Sequence, residues 1–165
     1  MNSGKADLHI HTTASDGTWG PEQLVGRLKS SGISLFAVTD HDSTENIDKV
    51  AALARENRIG FIPGVETTVS YNGLNYHILG LGINHVNKRL QSILKNNRTL
   101  MEQINIENIL YLETRHECVS LREYEKYAYN RERGGWKSLN YSIDKGLCSS
   151  YTDFFSLFKE YTGTI

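Results

Sequence analysis

Asp7-Leu8-His9-Ile10-His11, continued by Thr12-Thr13-Ala14-Ser15-Asp16-Gly17, is the stretch from which the fold can be read. An apolar run carrying histidines at alternate positions predicts a strand from Ala6 to Ile10, because side chains two apart on a strand point to the same side. His9 and His11 then present two imidazoles at the strand's C-terminal end, and Asp16 follows in a loop containing Gly17. A single histidine is usually structural. A His-x-His pair running into an acidic loop is far more characteristic of a metal site.

Outward from this stretch, short apolar runs alternate with amphipathic segments from Lys5 to Ile83, the pattern of βα units feeding a mostly parallel sheet. Gly20 and Pro21 open a helix whose apolar stripe is Leu24, Val25 and Leu28 and which Gly32 ends. Ile33 to Thr39 reads as a second strand. Asp42-Ser43-Thr44-Glu45 reads as a cap for a helix carrying Ile47, Val50, Ala51 and Ala54 as far as about Asn57. Ile59 to Glu66 is a third strand. Thr67 to Tyr71 and Leu74 to Gly82 flank Asn72-Gly73, a pair that favours a tight hairpin because both positions tolerate positive φ.

From about Val86 the period changes. Leu90, Ile93, Leu94, Met101, Ile104 and Tyr111 mark one face of a long helix, and Ser120-Leu121-Arg122-Glu123 is a capping box for a second helix running towards Arg131. Ser138 to Lys145 would be a third. Tyr151, Phe154, Phe155, Phe158 and Tyr161 stripe a fourth, at a spacing that predicts core packing rather than a stacking surface for bases. The expected division is an α/β part over residues 1–85 and an all-helical lobe over residues 86–165, bordering the mouth of the metal site.

Ionisable residues gather at the predicted strand ends. In Thr39-Asp40-His41-Asp42, His41 is the candidate ligand, Asp40 a partner that orients a ligand imidazole, and Asp42 a helix cap. Pro63-Gly64-Val65-Glu66 ends another strand in a carboxylate, and His77 lies in the hairpin. A carboxylate can bridge two cations whereas a neutral imidazole binds one, so Glu66 is the expected bridge. His9, His11 and Glu66 should share one cation, with His77 joined through Glu66, and Asp16 and His41 should form a second corner. Such mixed imidazole and carboxylate donors suit manganese, iron or zinc better than magnesium or calcium.

The bulk composition narrows the function classes. With 39% hydrophobic and 22% charged residues, the 165-residue chain has the balance of a folded globular protein. Eighteen basic and nineteen acidic residues leave a formal net charge of −1, so no global field draws it to nucleic acid or an anionic membrane. Cys118 and Cys148 form no Cys-x-x-Cys pair, and no apolar leader or bilayer-length segment is present. Reduced thiols in a cytoplasmic protein are the expectation.

Asp-Leu-His-Ile-His with Ser-Asp-Gly, then Thr-Asp-His-Asp, Pro-Gly-Val-Glu and the later His77, resemble the opening motifs of the PHP (polymerase and histidinol phosphatase) family over residues 5 to about 83. The resemblance implies the N-terminal part of a distorted (β/α)7 barrel with an all-helical insertion, the barrel itself incomplete. It also implies two or three divalent metal ions held by His9, His11, Asp16, His41, Glu66 and His77, and metal-dependent hydrolysis of phosphoesters such as a nucleotide or short RNA. Where the similar branch reads Gly-Arg-Pro-His, this chain has Arg133-Gly134-Gly135-Trp136-Lys137, so Lys137 is expected to contact phosphate rather than metal. That branch's late Asp-x-His has no counterpart after His77. The expectation is therefore a truncated, weakly active form, at least about tenfold slower than a longer one, with open barrel edges that favour self-association. Two rivals are a non-enzymatic metal-binding or interaction module and an amidohydrolase-type C–N hydrolase, which also begins with His-x-His on a barrel strand.

Overall fold

The structure, a computed structural model, describes residues 4–159 and divides into two compact units. One comprises the chain up to Asn97 together with Arg131–Gly134; the other comprises Arg98–Asn130 and the chain from Gly135 onward.

The first unit is built on a four-stranded sheet in sequential order, β1 (Lys5–Asp7), β2 (Ile33–Val38), β3 (Gly60–Tyr71) and β4 (Leu74–Leu81). The β1–β2 and β2–β3 pairs are parallel, as their helical crossovers α1 (Pro21–Ser30) and α2 (Ile47–Asn57) require, and β3–β4 is an antiparallel hairpin. Leu24, Val25 and Leu28 of α1 pack with Val50 and Ala54 of α2 against Phe36 and Val38 of β2, forming one buried cluster. Burying one apolar stripe from each helix on the sheet removes enough apolar surface from water to fix the layer.

Three local departures shape the site. β1 stops at Asp7 instead of Ile10: its register against β2 slips between Lys5 and Ala6, and beyond it a hydrogen bond from Thr39 N to Ile10 O (2.8 Å) keeps the chain beside β2. His9 and His11 thus lie just past the strand. Asp42 is not a helix cap; it has φ 45°, and α2 starts five residues later with Asn46 as its N-cap. β3 is longer than expected because it serves two neighbours, parallel to β2 over Gly60–Pro63 and antiparallel to β4 from Gly64 to Tyr71. A Cβ on Gly64, where the pairing changes over, would stand 2.8 Å from Val38 O. The hairpin turns at Asn72 (φ 51°) and Gly73 (φ 75°), as their residue types predict.

Arg58 closes α2 in the left-handed conformation, with φ 58° and ψ 38°. Arg58→Gly is expected to stabilise the protein by about 0.5–1 kcal/mol by removing the Cβ penalty at this helix end. A urea midpoint unchanged or lowered would contradict this.

The second unit holds the end of α3 (Lys88–Glu113), then α4 (Leu121–Lys126), α5 (Lys137–Asp144) and α6 (Tyr151–Ser156); a single turn of 3-10 helix, Arg131–Arg133, belongs to the first unit. Its core joins Ile109, Leu112, Val119, Tyr124, Tyr141 and Phe154. The expected α3 face is only partly internal: Leu94 is buried, whereas Ile93 and Met101 are exposed, because this helix belongs to both units and buries different sides along its length. α4 ends at Lys126, short of Arg131, and Ser120 makes no side-chain cap hydrogen bond. Phe154 and Phe158 are buried while Tyr151 and Phe155 are exposed; Tyr161 lies outside the described residues. No strand follows Leu81 among the described residues, and no described helix is long and apolar enough to cross a membrane.

Candidate metal centre

Parallel pairing brings the C-terminal ends of β1 and β2 to the same edge as Glu66, which forms an isolated parallel bridge with His41. His9 Nε2 and His11 Nε2 lie 3.1 Å apart, and both face Glu66 Oε2, at 2.9 Å and 2.8 Å. Cis positions around a cation with bonds of about 2.1 Å are about 3 Å apart, so these three atoms already have the spacing of three ligands. His41 Nδ1 stands 3.9 Å from Glu66 Oε2, and His77 Nδ1 3.9 Å from Glu66 Oε1. Asp16 Oδ1 meets His11 Nδ1 at 2.6 Å, while its Oδ2 is 3.9 Å from His41 Nε2. The four imidazoles form a continuous row, with ring centroids 5.1, 4.5 and 4.7 Å apart from His9 through His11 and His41 to His77.

Three triads could each hold a cation: His9, His11 and Glu66; His11, Asp16 and His41; and His41, Glu66 and His77. The first and third share only Glu66, whose two oxygens can serve two ions. The second takes an imidazole from each of the others, and a neutral imidazole has one free lone pair. The donor set fits such ions on an independent observation: His41 Nδ1 is buried without a hydrogen-bond partner, a costly arrangement unless something accepts its lone pair. The centre opens outward at its ends, His9 and His77 being 54% and 48% exposed, whereas Glu66 at its base is 8% exposed. An open groove of about 630 Å³ lined by Trp19, Gln23 and Arg27 contains none of these six side chains.

Charges in the cluster are strongly biased. Burial disfavours ionised Asp16 and Glu66, but hydrogen bonding to His11 and His9 and the surrounding imidazoles outweigh it, and both carboxyls are held below their usual range. Burial also works against protonated His11, yet Asp16, Glu66 and Asp40 raise its pKa; at His41 burial prevails and lowers it. Without metal, the His11–Asp16 pair stabilises the fold between two limits. The Asp16 share is present above its unfolded pKa and lost as pH falls through the lowered folded value. The His11 share is complete below its unfolded pKa and lost as pH rises through the raised folded value. Manganese binding must displace that His11 proton. It is expected to release protons near neutral pH and weaken as pH falls through the raised His11 pKa. Calorimetric heats independent of buffer ionisation enthalpy would contradict this.

Asp40 supports the cluster in a way the sequence does not show. It is 1% exposed, and its carboxylate accepts hydrogen bonds from Thr12 N (2.7 Å), Thr12 Oγ1 (2.7 Å) and Ser15 Oγ (2.6 Å). It therefore organises the Thr12–Asp16 loop, and its influence on His11 is electrostatic rather than through a hydrogen bond. Burial pushes its own carboxyl up despite those bonds. Asn46 Nδ2 adds a 2.8 Å bond to Thr12 Oγ1. Lys137 lies in the second unit, its Nζ 3.3 Å from Glu125 O and 4.4 Å from the centre of the Tyr124 ring.

The model of the PHP domain matches residues 7–162, nearly the whole chain. The chain belongs to the PHP domain family. Among curated relatives it is 36% identical over 103 residues to a 5'-3' exoribonuclease of Haemophilus influenzae, covering 62% of this chain and 38% of that protein. It is 39% identical over 92 residues to a 3',5'-nucleoside bisphosphate phosphatase of Chromobacterium violaceum, covering 56% and 32%. The chain thus spans about a third of the length of these relatives. A solved structure described as an amidohydrolase from Chromobacterium violaceum, with bound sulfate and no metal, is 28% identical with a TM-score of 0.74, covering 93% of this chain and 54% of the other. A solved structure described as a metal-dependent phosphoesterase from Bifidobacterium adolescentis has the same fold, with a TM-score of 0.77 at 22% identity, covering 93% of this chain and 55% of the other. The α/β architecture with part of a PHP-type barrel agrees with the sequence expectation.

Proposed function

We propose that this chain carries the principal metal-binding part of a phosphoesterase that hydrolyses nucleotides or short RNA. The observation that carries the reading is the convergence of His9 Nε2, His11 Nε2 and Glu66 Oε2 within 3.1 Å of one another, continued to His41 and His77 through the same carboxylate. His9, His11, Glu66, His41 and His77 would hold two divalent ions, with Asp16 orienting His11 and facing His41; a third ion would require a ring to change partner. Manganese, iron and zinc suit these donors. Bound ions supply an acidified water and neutralise phosphoryl charge.

The chain's own groups divide the remaining work. Asp16 fixes His11 with its Nε2 lone pair towards Glu66, Asp40 fixes the loop carrying Asp16, and the exposed rim at His9 and His77 admits a phosphate group. Lys137, the residue expected from the sequence to contact phosphate, is engaged within its own unit by the Glu125 carbonyl and the Tyr124 ring. A cytoplasmic location keeps Cys118 and Cys148 as thiols, and self-association would use β4, an outer strand with Tyr76, Ile78 and Leu81 exposed.

The names of the curated relatives support phosphoester substrates, while the description of one solved neighbour favours testing C–N bonds as well. The experiment is a manganese-supplemented assay on a nucleoside 3',5'-bisphosphate, a short 5'-phosphorylated RNA and a panel of amides and lactams. Phosphate or nucleotide release abolished by His9→Ala is the expected outcome. Turnover confined to amides or lactams would replace this reading with the hydrolase of C–N bonds, and metal binding without any turnover with the non-enzymatic module.

A further inference from the structure

The geometry points to Asn97, on α3, as a positioning residue for the Glu66–His77 side of the metal centre. This inference rests on the metal-binding reading above. Asn97 Nδ2 donates to Asp42 Oδ1 at 2.7 Å and to Thr68 O at 2.8 Å, with Thr67 Oγ1 at 3.2 Å. Asp42 Oδ1 also accepts from Thr67 Oγ1 (3.1 Å) and Thr68 N (3.2 Å). One side-chain amide therefore closes a knot between the segment that follows β2 and the middle of β3.

Each residue that Asn97 ties together in that knot stands next to a candidate ligand. Asp42 follows His41, Thr67 follows Glu66, and Thr68 is the register partner of His77. The backbone is tied at the same place, with Asp42 N donating to Glu66 O (2.8 Å) and Glu66 N to Asp40 O (3.2 Å). Asp42 is 4% exposed and holds φ 45°, so its conformation depends on surrounding bonds to offset left-handed strain. The knot contains neither His9 nor His11, whose loop is held instead by Asp40 through Thr12 and Ser15. Two carboxylates flanking His41 thus secure opposite halves of the centre, and α3 reaches only one of them.

Losing a group that orients metal ligands typically weakens metal binding by about 10–100-fold. Asn97→Ala, and Asn97→Asp, which keeps the shape but removes the donor and opposes Asp42, should therefore weaken one class of bound ion by at least about tenfold. The class associated with His9 and His11 should change by less than about threefold. Manganese titration calorimetry, with bound ions counted by electron paramagnetic resonance, resolves the classes; His77→Ala and His9→Ala identify them. Should neither Asn97 variant fold, Thr67→Val removes one hydroxyl of the same knot and provides the same comparison. A general loss of structure would weaken every class in parallel with the melting temperature, and that result overturns the inference. So does wild-type binding in every class. Absence of manganese binding by the unaltered protein would overturn it together with the metal-centre reading, which distinguishes the two failures.

Discussion

Glu66→Gln is expected to lower manganese affinity by more than about 100-fold, beyond the usual cost of losing a group that merely supports a ligand. The first and third triads, which share no imidazole, both include this carboxylate, with Oε2 near His9 and His11 and Oε1 3.9 Å from His77 Nδ1. Glutamine keeps the volume but replaces one anionic oxygen with an amide nitrogen that cannot ligate a cation. It also removes the negative charge that helps gather four imidazoles in one row, so the free protein should lose the stabilisation that ionised Glu66 contributes above its unfolded pKa, a share already absent in the wild type once pH has fallen through the lowered folded value. Any phosphoester turnover should fall with metal occupancy. Equilibrium dialysis against manganese measures the effect; retention of two tightly bound ions by Glu66→Gln would show that Glu66 is not the bridge.

Asp40→Ala is expected to destabilise the protein by about 2–4 kcal/mol while also weakening metal binding, although Asp40 need not touch a metal ion. The carboxylate serves three donors, including the backbone N–H of fully buried Thr12. Truncation leaves that N–H without its acceptor and creates a small cavity, and both effects have the same sign. The loop carrying Asp16 would loosen, and with it the hydrogen bond that sets the His11 tautomer. Urea unfolding reads the stability loss and calorimetry the metal loss. Wild-type stability in Asp40→Ala would mean that water or the loop itself satisfies Thr12 and Ser15.

The contrast between Asp40 and Asp42 shows why the site was only partly legible. Both sit beside His41 in one ionisable segment, and from the sequence Asp40 is expected to orient an imidazole and Asp42 to cap a helix. Their actual work depends on φ 45° at Asp42, which turns its carboxylate towards Thr67, Thr68 and Asn97, whereas Asp40 turns towards Thr12 and Ser15. Asn97 carries no motif at all; the second of two adjacent asparagines on a long polar helix has the signal of a solvated side chain. The α3 face was misread at Ile93 and Met101 for a related reason, since one helix contributing to two units satisfies two burial patterns in succession.

The order of residues alone established the βα alternation, the Asn72-Gly73 hairpin and the placing of His9, His11, His41 and Glu66 near strand ends. These follow from short-range physics: side-chain period, proline and glycine conformations, and the cost of ending apolar runs in unpaired ionisable groups. Tertiary structure decided how those ends meet. Parallel pairing brought Glu66 beside His41 and within 2.9 Å of His9, while the switch of β3 from a parallel to an antiparallel neighbour brought His77 to the same carboxylate. The supporting bonds from Asp40 and Asn97 span 28 residues to Thr12 and 55 residues to Asp42. Contacts at such separations form only when the chain has already folded, because their loop-closure entropy must be offset by the burial of the whole core.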